Sequence, residues 1–175
     1  MNEKVSRITA STGLFIGGIL GMAGSFAADN SLRSLAWSID GMALILATTL
    51  LTIFYFRKGW DVIAAGFLIF AIGQSLILSA SGIDFAEHTT AFGAGTGLWA
   101  VALWVISSQK LFPIIIRAAG VLAGVLFSVV AIQIFTGQPV NALAKPLPFF
   151  AYPIFVITIF GWAWTLLRNR VEVKH

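Results

Sequence analysis

The chain has 175 residues, 58% of them hydrophobic and only 10% charged, with a mean hydropathy of +0.92 and a formal net charge of +4. A soluble domain carries about 25% charged residues, and a chain this short cannot hide so much apolar surface from water, so lipid is part of its solvent. With no cysteine, disulfides, thiolate nucleophiles, Cys-ligated zinc, iron–sulfur centres and covalently attached c-type haem are excluded.

Six apolar stretches follow one another, separated by turn or charge signals. A membrane helix needs about 20 mostly apolar residues to cross the hydrocarbon core, and six such crossings nearly exhaust the chain. The expected architecture is therefore all-α: one polytopic transmembrane domain over residues 1–175, a bundle of six helices with short loops.

The first span covers about Ser11 to Ala28. Gly13, Gly17 and Gly21 recur every four residues along it, and Ser25 continues the line. Small residues at this spacing let another backbone approach closely, either within the bundle or at an oligomer interface. A signal-peptide reading competes here, with Lys4 and Arg7 before the apolar run and Ser25-Phe26-Ala27 as a cleavage site. The length and glycine content of the run favour a retained helix.

The second span covers Leu35 to Phe56 and carries Ser38 and Asp40 near its start. The third covers Val62 to Ser81 and carries Gln74, Ser75 and Ser79 near its end. Asp84, Glu87 and His88 follow in a loop, and the fourth span covers about Thr90 to Ser107, with a second small-residue seam at Gly93 and Gly97 and two tryptophans, Trp99 and Trp104. The fifth covers Leu111 to Phe135, with Gly120 and Gly124 as a third seam and Arg117 about six residues in. A proline-rich loop, expected as a stiff connector, leads to the sixth span, Leu147 to Leu167, whose start Pro153 is expected to kink.

Basic residues give the chain an orientation. With the N-terminus cytoplasmic, that side holds Lys4, Arg7, Arg57, Lys58, Lys110, Arg117, Arg168, Arg170 and Lys174, and the outer side keeps only Arg33 and Lys145. Lys and Arg collect in short cytoplasmic loops, so both termini are expected in the cytoplasm. Nucleic-acid binding is not expected, because no basic face exists to carry it. Trp37, Trp60, Trp162 and Trp164 fall near the expected boundaries, where amphipathic rings meet headgroups.

In this frame nearly every misplaced polar group lies in the outer half of the bilayer: Asp40, Gln74, Ser75 and Ser79, with Asp84, Glu87 and His88 just beyond. Ionisable groups inside hydrocarbon are costly and point to function. A carboxylate at Asp40 must be paired, hydrated or protonated. Two readings stand for it: an ion, proton or polar-ligand site, or an interfacial residue reaching headgroup water. Trp99 is either a packing residue or the wall of a ligand cavity. Asp84 and His88 stand four apart, a metal-like spacing that Glu87 could extend. The only other histidine is His175 at the opposite face, however, and zinc sites need three or four protein ligands, so a solvated loop is the better reading and no metal is expected. Arg117 either snorkels to the inner headgroups or pairs with a buried partner.

No nucleophile elbow, P-loop or dinucleotide fingerprint is present in its required context. No catalytic residue and no cofactor is expected.

The stretch Gly97-Leu98-Trp99, Leu103-Trp104, Ser107-Ser108, Phe112-Pro113, Arg117 and Gly120-Val121-Leu122-Ala123-Gly124 resembles the second half of a family of small bacterial integral membrane proteins of unknown function. The likeness covers about a third of the chain, which is shorter than that family's pattern between the third and fourth helices. It implies a multi-pass protein of the bacterial inner membrane, with no assigned activity and no functional residue to carry over. Two functions remain in view: binding or transport of a small molecule, lipid or ion through a polar pocket on the outer side, or service as an accessory subunit in a homo-oligomer or larger membrane complex. Enzymatic activity is a distant third.

Overall fold

The computed structural model describes residues 3–80, 85–138 and 140–168, with the backbone alone for residues 85–88. It contains α1 (Glu3–Phe26), α2 (Asn30–Arg57), α3 (Asp61–Ala80), α4 (Phe85–Ser108), α5 (Ile114–Phe135) and α6 (Ala151–Arg168). Each is long and apolar enough to cross a membrane, and no strand occurs among the described residues. The chain is an all-α, six-helix protein of membrane-spanning character.

Helix ends depart from the apolar stretches for physical reasons. Hydropathy marks the part of a helix that lies in hydrocarbon, whereas backbone hydrogen bonding continues into polar surroundings, so α1 starts about two turns earlier. α2 begins at Asn30 because Asp29 caps it, its carboxylate accepting from the Leu32 amide at 2.8 Å. α5 begins at Ile114, after Pro113 at its N-cap. Arg117 therefore sits in the first turn rather than six residues in. α6 begins at Ala151, since Pro146 and Pro148 disfavour helix before them. Pro153 then falls in the first turn, where its missing N–H breaks no helical bond, so the expected kink is not required.

Each helix packs against its neighbours in sequence, and α6 closes back on α1, giving a ring. Across the ring no two helices approach at backbone distance among the described residues. Large side chains must then fill the axis. Tyr55 stacks on Phe67, Phe67 meets Trp162 edge to face, and Phe70, Trp99, Phe127 and Phe155 continue the column with centroid separations of 4.6–5.6 Å. Trp162, only 1% exposed, belongs to this core and not to a boundary belt, while Trp164 is exposed as an interfacial ring would be.

Small residues set the spacing between neighbouring helices. α3 and α4 cross where Gly73 and Gly95 oppose each other: a Cβ on either would lie 2.9 or 2.8 Å from the other's carbonyl oxygen. Gly13 meets Ala43 and Ala47 of α2, and Gly17 meets Leu44 and Asp40. Gly93, Gly97, Gly120 and Gly124 all lie between α4 and α5, with Ile134 against Gly93, Ala131 against Gly97, Ser107 against Gly120 and Trp104 against Gly124.

At the end that carries the N-terminus, side chains satisfy the helix termini. The last carbonyls of a helix have no partner within it, and in hydrocarbon water cannot supply one. Arg7 of α1 donates to Leu166 and Leu167 at the end of α6. Arg117 of α5 donates to Ser107 at 2.8 Å and Ser108 at 3.3 Å at the end of α4. The guanidinium thus turns back to the bundle end and pairs with backbone. Lys58 and Glu3 form an ion pair at 2.9 Å between α2 and α1.

The loop between α5 and α6 is more than a connector. Val140, Ala142, Ala144 and Leu147 fold back onto Ala80, Phe92, Val130 and Ile134, building a second small core over the far ends of α3, α4 and α5. Phe149 reaches across to Phe26 at the end of α1, with centroids 5.7 Å apart.

Candidate functional site

Beneath that loop, at the end of the ring away from the N-terminus, lies a cavity of about 130 Å³ to which all six helices contribute. Its floor is the top of the aromatic column, Trp99 and Phe127. Its roof is Ala142, Pro148 and Phe149, and its walls include Trp37, Asp40, Gln74, Phe92, Thr96 and Tyr152.

Asp40 stands well inside α2 and is only 5% exposed. It fits because α1 presents glycine to it. A Cβ on Gly17 would lie 3.2 Å from its Oδ1, and one on Gly21 would lie 2.9 Å from its Oδ2. The Tyr152 hydroxyl of α6 donates to Oδ2 at 3.4 Å, a long bond. Oδ1 has no partner, and no cation pairs with this carboxylate among the described residues. The cations nearest in sequence to this end are otherwise engaged: Arg33 donates to Ala27 and Asn30, and the Lys145 ammonium lies 4.7 Å from the Phe149 ring centroid.

Gln74 of α3 is 2% exposed, and its amide lies beside the α2 backbone, where a Cβ on Gly41 would come within 3.3 Å of Nε2. Its Oε1 is buried without a partner, as is Trp99 Nε1. Three residues from α2, α3 and α4 thus line one cavity, each with a buried polar atom left unpaired. Such orphaned groups are rare in folded proteins, and each calls for an explanation.

Of the residues singled out in the sequence, Asp40, Gln74 and Trp99 come together here. Ser75 and Ser79 do not: both are exposed, and their hydroxyls bond back to Ala71 and Leu76 at 2.8 Å. Successive helical residues are turned by about 100°, so Ser75 cannot share the face of Gln74. Asp84 and the side chains of Glu87 and His88 lie outside the described residues, though the backbone of Glu87 and His88 belongs to the start of α4 rather than to a loop. No group of three metal-ligating side chains occurs among the described residues.

The structure adds residues that the sequence reading did not select. Trp37 lines the cavity and donates to the Gly21 carbonyl at 3.3 Å instead of marking a boundary. Thr96 is 1% exposed, its hydroxyl bonded to the Gly93 carbonyl. Tyr152 is the one side-chain hydrogen-bond partner of Asp40 among the described residues. A signal for Thr96 was present, since Phe92, Thr96 and Trp99 recur at the spacing of one helical face. Nothing local tied Tyr152 to a residue more than a hundred positions earlier. No family model, no characterised protein and no solved structure matches this chain.

Proposed function

We propose that this protein lies in a bacterial inner membrane with both termini cytoplasmic, and that it binds a small polar molecule in the cavity, which then faces the outer side. The carrying observation is that Asp40 and Gln74, deeply buried on different helices, line one cavity and each keep an unpaired oxygen. Polar groups held in a membrane interior at such cost are retained for function. The orientation rests on Lys4, Arg7, Arg57, Lys58, Lys110, Arg117 and Arg168 at one end of the ring against Arg33 and Lys145 at the other. The bacterial compartment rests on the sequence resemblance of the second half.

Binding is better supported than conduction. Below Trp99 and Phe127 the axis is filled by Phe70, Phe155, Phe67, Trp162 and Tyr55, which leaves the cavity a dead end. The rival reading, an accessory subunit joined through its small-residue seams, has less support because Gly13, Gly17 and Gly21 face α2 and α6 of the same chain. Native mass spectrometry of the gently solubilised protein tests both. A small-molecule adduct that Thr96→Phe displaces is the expected result; a partner subunit with no adduct in the unmodified protein would overturn the pocket reading.

A further inference from the structure

We infer that the ligand is a small primary ammonium with a hydrogen-bond acceptor close to its nitrogen, the chemistry of an amino alcohol, whether free or as an aminoethyl lipid headgroup. This deepens the pocket reading and rests on it.

The unpaired atoms specify a complement. With Asp40 ionised, its Oδ1 and Gln74 Oε1 accept only, and Trp99 Nε1 donates only. A ligand that satisfies all three offers two donors and one acceptor. Water could make those bonds, yet for want of a counter-charge Asp40 would then either bear an uncompensated charge, which is expensive in a medium of low dielectric, or take up a proton. A cation supplies the counter-charge.

The walls choose among cations. Trp37, Phe92, Trp99, Phe127, Phe149 and Tyr152 present aromatic rings to the cavity. Aromatic faces attract organic cations through the ring quadrupole, and they also pack against methylene groups. A hard metal ion instead needs about six oxygen ligands, more than this wall provides. A quaternary ammonium suits the rings but has no N–H for the two acceptors. A primary ammonium serves both.

Size sets the upper limit. A cavity of about 130 Å³ is a little smaller than the roughly 150 Å³ cavity that admits benzene. The bound group therefore has no more than about six non-hydrogen atoms, which excludes a whole lipid but admits its headgroup amine.

The test uses the full chain in nanodiscs, with binding read by saturation-transfer NMR and by the rise in Tm. The probes are 2-aminoethanol, ethylene glycol as its neutral counterpart, tetramethylammonium and sodium chloride. Two further samples carry phosphatidylethanolamine or phosphatidylglycerol, with lipid retention read by native mass spectrometry. The expected result is saturable binding of 2-aminoethanol and not of the other three. Asp40→Asn should weaken that binding at least about tenfold while keeping the elution profile and helical content of the unmodified protein. Retention of phosphatidylethanolamine that depends on Asp40, without binding of free 2-aminoethanol, supports the same chemistry with the lipid as its source. Equal binding of ethylene glycol, unaffected by Asp40→Asn, would overturn the ammonium assignment and leave the pocket standing, as would sodium or tetramethylammonium displacing every other probe. If no probe binds and no lipid is retained, both readings fall.

Discussion

The Tyr152 hydroxyl reaches Asp40 Oδ2 over the bare backbone of Gly21, so that α6 and α2, whose backbones do not approach each other, are joined across α1. Any side chain at position 21 would occupy the path of that bond. Gly21→Ala is therefore expected to destabilise the protein by about 1–3 kcal/mol, the usual cost of overpacking a tight contact. Tyr152→Phe removes the hydroxyl that the new methyl group would strike, so the double variant should lose less than the sum of the two single losses. Thermal or denaturant unfolding in a fixed detergent, arranged as a double-mutant cycle, measures the coupling. Strict additivity would show that Gly21 and Tyr152 do not share this space.

Asp40 should cost stability in the absence of ligand. Its carboxylate is buried, one oxygen is unpaired, and the bond that Tyr152 donates to the other is long. Asp40→Asn preserves the shape and an acceptor for Tyr152 while removing the charge. We expect the variant to be more stable by about 1–2 kcal/mol, the signature of a residue kept for function at the expense of the fold. The readout is Tm in detergent depleted of amines. A loss of stability instead would identify Asp40 as a structural residue.

How far the sequence reached depended on the range of the interaction concerned. Six crossings were legible because hydropathy is a local property that each stretch carries by itself. Asp40 and Gln74 were legible because a polar residue inside an apolar run is conspicuous without any partner in view. Ser75 and Ser79 were grouped with them by depth, but depth along a helix says nothing about its face. Trp37 was legible as an amphipathic ring near a helix end, whereas its place on the cavity wall depends on Gly21 of a neighbouring helix. The Tyr152 bond and the folded-back loop arise only when α6 closes the ring on α1, a pairing that no periodicity announces. The tight crossing at Gly73 and Gly95 was missed for a similar reason. Gly93 and Gly97 formed the visible four-residue repeat, while Gly95 finds its counterpart on another helix.

That crossing sets Gly73 of α3 apart from Gly97 of α4, although both are glycines within apolar helices. At Gly73 a Cβ would lie 2.9 Å from both the Gly95 carbonyl oxygen and Leu98 Cβ, with backbone on one side unable to yield. At Gly97 the nearest atom is Ala131 Cβ at 3.6 Å, an ordinary contact. Gly73→Ala should cost about 1–3 kcal/mol, and Gly95→Ala a similar amount. Gly97→Ala should be neutral or stabilising by about 0.4–1 kcal/mol, because alanine restricts the unfolded chain. Comparing the three Tm values under one condition is sufficient, and equal losses at positions 73 and 97 would contradict the crossing.

The orientation can be read directly because the chain has no cysteine of its own. Ser31 and Ser108 are exposed at opposite ends of the ring. With single replacements Ser31→Cys and Ser108→Cys in intact bacterial cells, a membrane-impermeant maleimide should label the first from outside. It should label the second only after the membrane is opened. The reverse pattern would invert the bundle and turn the cavity toward the cytoplasm.

Arg117 tests how helix ends are satisfied where water is scarce. Its Nε and Nη2 donate to the carbonyls of Ser107 and Ser108, two acceptors left open at the end of α4. A planar guanidinium spans two adjacent carbonyls at once, whereas an ammonium is a point donor. Arg117→Met keeps much of the aliphatic stem and removes both bonds, with an expected loss of about 1–3 kcal/mol. Arg117→Lys should recover only part of it. The effect should also be local: amide exchange should quicken in the last turn of α4 while the α1–α2 pair is unchanged, since the latter is joined by Lys58 and Glu3 at 2.9 Å. If Arg117→Lys is as stable as the unmodified chain, the charge matters and the fork does not, and snorkelling to headgroups becomes the better account of this residue.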